Sequence, residues 1–111
     1  MPDYKLSDLT KLVRDSFNTY DQQGTRHWTW QVAAQDLSYQ IGSLNKVLLQ
    51  LSGDRWADGK NVDALEADLS DELADILAEV LYIASIRRID LGQAINDMVK
   101  TDQKKVNSRL K

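Results

Sequence analysis

No cysteine occurs in the chain, so neither a disulfide nor a thiolate-held metal contributes to it. Proline is confined to position 2, and five glycines are spread over 111 residues, which leaves long stretches without helix breakers. No uninterrupted apolar run approaches the ~20 residues of a membrane-spanning helix, and Met1-Pro2-Asp3-Tyr4-Lys5 does not read as a signal peptide. Positive charge is not in excess either. At a net charge of −3 and a pI near 5.0, nothing favours binding along a nucleic-acid duplex. The chain has no Gly-rich phosphate loop, no Ser-His-Asp set and no zinc spacing around its single histidine. Strand-like alternation is nowhere sustained. These absences predict an all-α, cytoplasmic protein with no membrane partner. A chain of this length buries roughly two thirds of its unfolded surface, so residues 1–111 are expected to form a single domain.

What is present centres on residues 63–88, DALEADLSDELADILAEVLYIASIRR. At about 100° per residue, Leu65, Leu69, Leu73, Ile76, Leu77, Val80 and Ala84 fall on one apolar arc. Asp68, Glu72, Asp75 and Glu79 form a stripe beside it, each one turn from the next. Tyr82, Ile83 and Ile86 prolong that stripe, and Ala74, Ala78, Leu81 and Ser85 occupy the far side. A helix apolar nearly all round is expected to be buried. Carboxylates along its edge then need a counter-charge, and a divalent cation is one way to supply it.

Three more helices are predicted around this one. The first spans about Leu6 to Tyr20, capped by Ser7 or Asp8, with Leu9, Leu12, Val13, Ser16, Phe17 and Tyr20 on its apolar face. The second runs from Thr29 to Leu51, with a bundle seam of Trp30, Ala33, Leu37, Ile41, Leu44, Leu48 and Leu51. Ser52-Gly53 ends it, and a loop to Asn61 follows. Asp63 with Glu66 reads as the capping box of the central helix, and Arg87 and Arg88 suit its negative end. The last helix opens at Asp90, with Gln93 three residues on, and carries Leu91, Ala94, Ile95, Met98 and Val99 on one side. A basic tail, Lys100 to Lys111, completes it. The expected architecture is a four-helix bundle.

Glu72 and Asp75 project from one helix face, and such an i, i+3 pair supplies two hard oxygen ligands of the kind Mg²⁺ takes at about 2.0–2.1 Å. The runs Glu72-Leu-Ala-Asp75-Ile-Leu, Leu81-Tyr82-Ile83-Ala84 and Ile89-Asp90-Leu91-Gly92-Gln93-Ala94-Ile95 resemble the MazG-like all-α nucleoside triphosphate pyrophosphohydrolases. The resemblance covers about residues 30–110. It implies an oligomeric four-helix MazG-like bundle, a homodimer or homotetramer. It also implies Mg²⁺-dependent cleavage of (deoxy)nucleoside triphosphates to monophosphate and pyrophosphate. The family carries an earlier ExxE, in a context like EVGEL. The matching text here is Tyr39-Gln40-Ile41-Gly42-Ser43-Leu44, with Gln40 and Ser43 in place of both glutamates. That departure removes two charges from the expected metal site.

By this resemblance the metal ligands are Glu72 and Asp75, supplemented by Asp68 and Gln40. Glu79 and Asp36 are the acids that orient the water. Lys104, Asn107 and Arg109 correspond to a basic, amide-bearing tail that holds phosphates, and Lys60 is a further candidate of that kind. Trp28 and Trp56 are candidates for stacking a nucleobase, whereas Trp30 lies in the seam and is read as core. His27 is read as a capping or surface residue. The small residues Ala74, Ala78 and Ser85, with Leu81, are expected at a subunit interface. Two functional classes stay open: a weak pyrophosphohydrolase, and a catalytically silent nucleotide-binding or protein-interaction module. The acids of the central helix favour the first, and Gln40 with Ser43 favours the second.

Overall fold

The computed structural model describes residues 4–22 and 29–110, with all their side chains except those of residues 20–22. Four helices follow one another: α1 Leu6–Gln22, α2 Trp30–Ser52, α3 Val62–Arg87 and α4 Leu91–Arg109. Among the described residues none of these is long and apolar enough to cross a membrane.

The helix ends follow local chemistry. Thr29 caps α2 by accepting a hydrogen bond from Val32 N, and Gly53, in the left-handed region at φ 83°, closes it. Asp90 caps α4 by accepting from Gln93 N. Two expected caps are displaced. Asn61, not Asp63, caps α3 by accepting from Ala64 N, and Asp63 sits in the first turn, where a carboxylate suits the positive end. In α1 the Lys5 carbonyl accepts from Leu9 N, so Ser7 and Asp8 lie inside the first turn.

The packing is a hairpin with an added helix. Antiparallel α2 and α3, joined by the short loop 53–61, form the main contact, and α1 lies across α3. Phe17 meets Tyr82 edge-on with centroids 4.5 Å apart, and Arg14 Nη1 donates to Ser85 Oγ at 3.4 Å. The buried apolar residues are Ala33, Val47, Leu65, Leu81, Tyr82 and Ala84. Trp30 is half-buried, with the Arg87 guanidinium 5.2 Å above its ring.

Of the expected α2 seam, Ala33 is buried and Trp30, Leu37, Leu44 and Leu51 are half-buried, but two positions depart from it. Ala33, Val47 and Gln50 are buried, while Ile41 and Leu48 stay exposed. The face turned toward α3 therefore carries Asp36, Gln40, Ser43 and Gln50 among its apolar residues. On α3, Leu81 is the most enclosed large side chain, so it does not belong to a subunit surface, while Ser85 is half-buried and accepts from Arg14. Val62, Leu73, Leu77 and Ile86 are the large apolar side chains of α3 left outside.

α4 buries no residue against the rest of the chain. Its Ile95, Met98, Val99, Val106 and Leu110 are all exposed. The Cα radius of gyration, 17.5 Å, exceeds the ~13 Å of a compact domain of similar length. Among the described residues the architecture is all-α with four helices, of which α1, α2 and α3 form the core.

Candidate functional site

The polar seam between α2 and α3 opens into two neighbouring hollows. The upper one, about 180 Å³, is lined by Asp36 and Gln40 of α2, Asp75, Ala78 and Glu79 of α3, and Phe17 of α1. The lower one, about 230 Å³, is lined by Ser43, Lys46, Val47 and Gln50 of α2, Asp68 and Glu72 of α3, and Lys60 of the loop. Two larger hollows lie elsewhere. One, of about 300 Å³, sits where α1 meets the α3–α4 corner and is mostly apolar, with Leu6, Ala84 and Ile89 in its wall. The other, about 440 Å³, runs along α4 alone past Val99, Val106 and Asn107. Each of these is lined by a single acid, Asp90 and Asp102 respectively, whereas the seam hollows bring several together.

The acids of α3 face α2 as their spacing requires. A period of three and four residues puts Asp68, Glu72, Asp75 and Glu79 on one side of the helix, and that side meets the polar face of α2. Glu79 is 4% exposed, Glu72 and Asp68 are half-buried, and Asp75 is the most open. Glu72 Oε2 is shut off from solvent and accepts no hydrogen bond among the described residues. Gln40 directs its amide Nε2 to Asp36 Oδ2 at 3.4 Å, so in this arrangement it serves as a donor to an acid one turn away.

The pair Glu72 and Asp75 divides between the two hollows: Glu72 faces Ser43, and Asp75 faces Gln40. Among the described residues no three acids or histidines converge closely enough to hold a metal ion. The lower hollow suits a divalent cation least. Ser43 brings no charge there, and two ammonium groups already line it. The donors as arranged do not fit the ion that the ExxD pair implies.

Cations and amides that the acid pattern did not single out organise the lower hollow. Gln50, 6% exposed, donates from Nε2 to Trp56 O at 3.1 Å and to Asp58 Oδ2 at 3.2 Å. Lys46 Nζ stands 3.7 Å from the same Asp58 oxygen. These contacts pin the loop, whose turn is closed by Lys60 N donating to Ala57 O. Lys60 Nζ then reaches Asp68 Oδ2 at 2.6 Å. That hydrogen bond and the Asp68 charge raise the Lys60 pKa above its ordinary value. Gln50 had a legible signal: it lies two turns beyond Ser43 on the same stripe. The Lys60 pairing had none, because it depends on how the loop folds back.

The remaining candidates lie apart from the seam. Trp56 is 79% exposed on the loop, with only its carbonyl engaged. Lys104, Asn107 and Arg109 stand exposed on α4, which lines neither seam hollow. Trp28 and His27 fall outside the described residues.

Comparison with known proteins supplies one match. Residues 57–111, from the loop through α3 and α4, match the MazG nucleotide pyrophosphohydrolase domain. No curated protein and no solved structure matches the chain.

Proposed function

Because the chain is a member of the MazG-like superfamily, we propose that it acts on nucleoside triphosphates at the α2–α3 seam, as a pyrophosphohydrolase of reduced power. The observation that carries this reading is the seam itself. Glu72 and Asp75 of the ExxD pattern face the positions of the ExxE pattern across two polar hollows.

The proposed reaction is attack of water on a phosphorus of the triphosphate, releasing monophosphate and pyrophosphate. Asp36 and Glu79 in the upper hollow are the acids that orient that water and take its proton. Lys104, Asn107 and Arg109 hold phosphates, and Trp28 and Trp56 are the stacking candidates for the base. Since α4 does not line the seam of its own chain, a second copy brings its basic end there, which fits a homodimer or homotetramer. Divalent metal is the family's usual cofactor, but the acids and amides of this seam do not fit one ion as arranged, so the hydrolysis proposed here is of reduced power. No step is drawn through the metal, because the acids do not converge on one point.

A second reading is favoured by one specific observation. Gln40 and Ser43 remove two carboxylates, and Gln40 spends its amide on Asp36. On that reading the domain binds nucleotides, or a protein partner, without hydrolysing anything. Pyrophosphate release measured across a panel of nucleoside triphosphates, with and without Mg²⁺, separates the two. Release abolished by Asp75→Asn supports hydrolysis, and no release from any substrate supports the silent module. The double variant Gln40→Glu with Ser43→Glu is expected to raise Mg²⁺-dependent release over the parent chain.

A further inference from the structure

The lower hollow contains its own cation. Its lining carries two carboxylates, Asp68 and Glu72, and two ammonium groups, Lys46 and Lys60. Lys60 is held there by more than its ion pair. Gly53 turns the chain in the left-handed region, Gln50 fixes Trp56 and Asp58, and Lys60 N closes on Ala57 O. The backbone of Lys60 is thereby set beside α3, and its Nζ lies 2.6 Å from Asp68. Glu72, one turn along, has an oxygen closed off from solvent and no hydrogen-bond donor among the described residues.

We propose that Lys60 is the built-in counter-cation of the lower hollow, standing electrostatically where a divalent ion would sit and keeping Glu72 from acting as a metal ligand. A divalent ion entering this space meets two ammonium groups in the same lining and finds the Ser43 hydroxyl where a carboxylate would help. Like-charge repulsion, reduced by solvent in this half-exposed site, then works against an ion to which Glu72 offers a carboxylate and Ser43 no charge. The hollow is thus neutralised by the chain itself, and its acids are kept without an ion.

Mn²⁺ binding, followed by loss of the free-ion paramagnetic signal with no nucleotide present, tests this directly. In Lys60→Met a new site is expected, at least about tenfold tighter than any in the parent chain, as removal of a unit charge beside a divalent ion predicts. That gain should vanish in Lys60→Met with Glu72→Gln and persist in Lys60→Met with Asp75→Asn. Lys60→Arg, which keeps the charge, should behave as the parent. Unchanged Mn²⁺ affinity in Lys60→Met, or a gain that survives Glu72→Gln, overturns the proposal. A measurement on otherwise unaltered protein guards against a folding artefact. Glu72→Gln alone should leave Mn²⁺ binding as it was, and a loss there refutes the proposal as well. Since no triphosphate enters the assay, its outcome is independent of whether the chain hydrolyses one.

Discussion

Replacing Gln50 by Met isolates what one buried amide contributes, because the side chains are similar in length and only the polar end is lost. Gln50 Nε2 donates to the Trp56 carbonyl and to Asp58 Oδ2. A neutral hydrogen bond is worth about 0.5–1.5 kcal/mol net and one to a charged acceptor about 1.5–3 kcal/mol. Asp58 is 44% exposed, so water takes over part of its share, and a total loss of ~1–3 kcal/mol is expected. With a urea slope of about 1–3 kcal/mol/M for a chain of this size, the unfolding midpoint should fall by roughly 1 M. The same substitution should release the loop. The Lys60 amide, bonded to Ala57 O, should exchange with solvent much faster, while the Leu65 amide in the first turn of α3 changes only by the global amount. Equal urea midpoints for Gln50→Met and the parent, with unchanged protection of the Lys60 amide, would show that the loop is held by something else.

Leu81→Ala removes the most enclosed large side chain, 2% exposed, and should cost ~2–5 kcal/mol in denaturant unfolding; a smaller loss means the α1–α2–α3 core is looser than described. Asp90→Ala deletes the α4 cap to Gln93 N and should lower helix content near that end with a loss of about 1 kcal/mol, read by circular dichroism and thermal melting. The Lys60–Asp68 pair has a defined pH signature. Because the folded pKa of Lys60 is raised above 10.5, its stabilisation is complete below that pH and fades as pH climbs through the raised value. On the alkaline side the melting-temperature gap between the parent and Lys60→Met should therefore close only in strong alkali, and a gap that closes just above neutrality would contradict the pairing. Ile95→Glu on the exposed α4 stripe should shift the chain to monomer in analytical ultracentrifugation if a second copy covers that face; an unchanged mass moves any interface elsewhere.

Helix positions were largely legible because caps and glycines act locally. Thr29, Gly53 and Asp90 each do in the structure what their residue types predict. Asn61 was misread because two good capping residues lie close together, and only the backbone decides between them. The α2 seam was less legible for a different reason. Apolar spacing locates a stripe only to within about one residue's turn, and here the covered strip takes in Gln40, Ser43 and Gln50 and leaves Ile41 and Leu48 outside. A pattern that scores hydrophobicity cannot anticipate a face that turns amides and acids inward. The inward acids of α3 were visible from their period, since Asp68, Glu72, Asp75 and Glu79 have no other side to occupy. Their division into two hollows was not, because it depends on the loop delivering Lys60. The amphipathic stripe of α4 announced the need for a covering surface without saying that its own chain does not provide one.

Apart from Phe17 of α1, which lines the upper hollow, the seam comes from one uninterrupted stretch of chain, Trp30 to Arg87. Closing a loop as short as 53–61 costs little entropy, and contacts between sequence neighbours form early. The cleft is therefore expected to take shape as soon as this hairpin zips, before the final helix finds anything to lean on. A change in that last helix should then alter the company the molecule keeps while the shape of the cleft stays as it is.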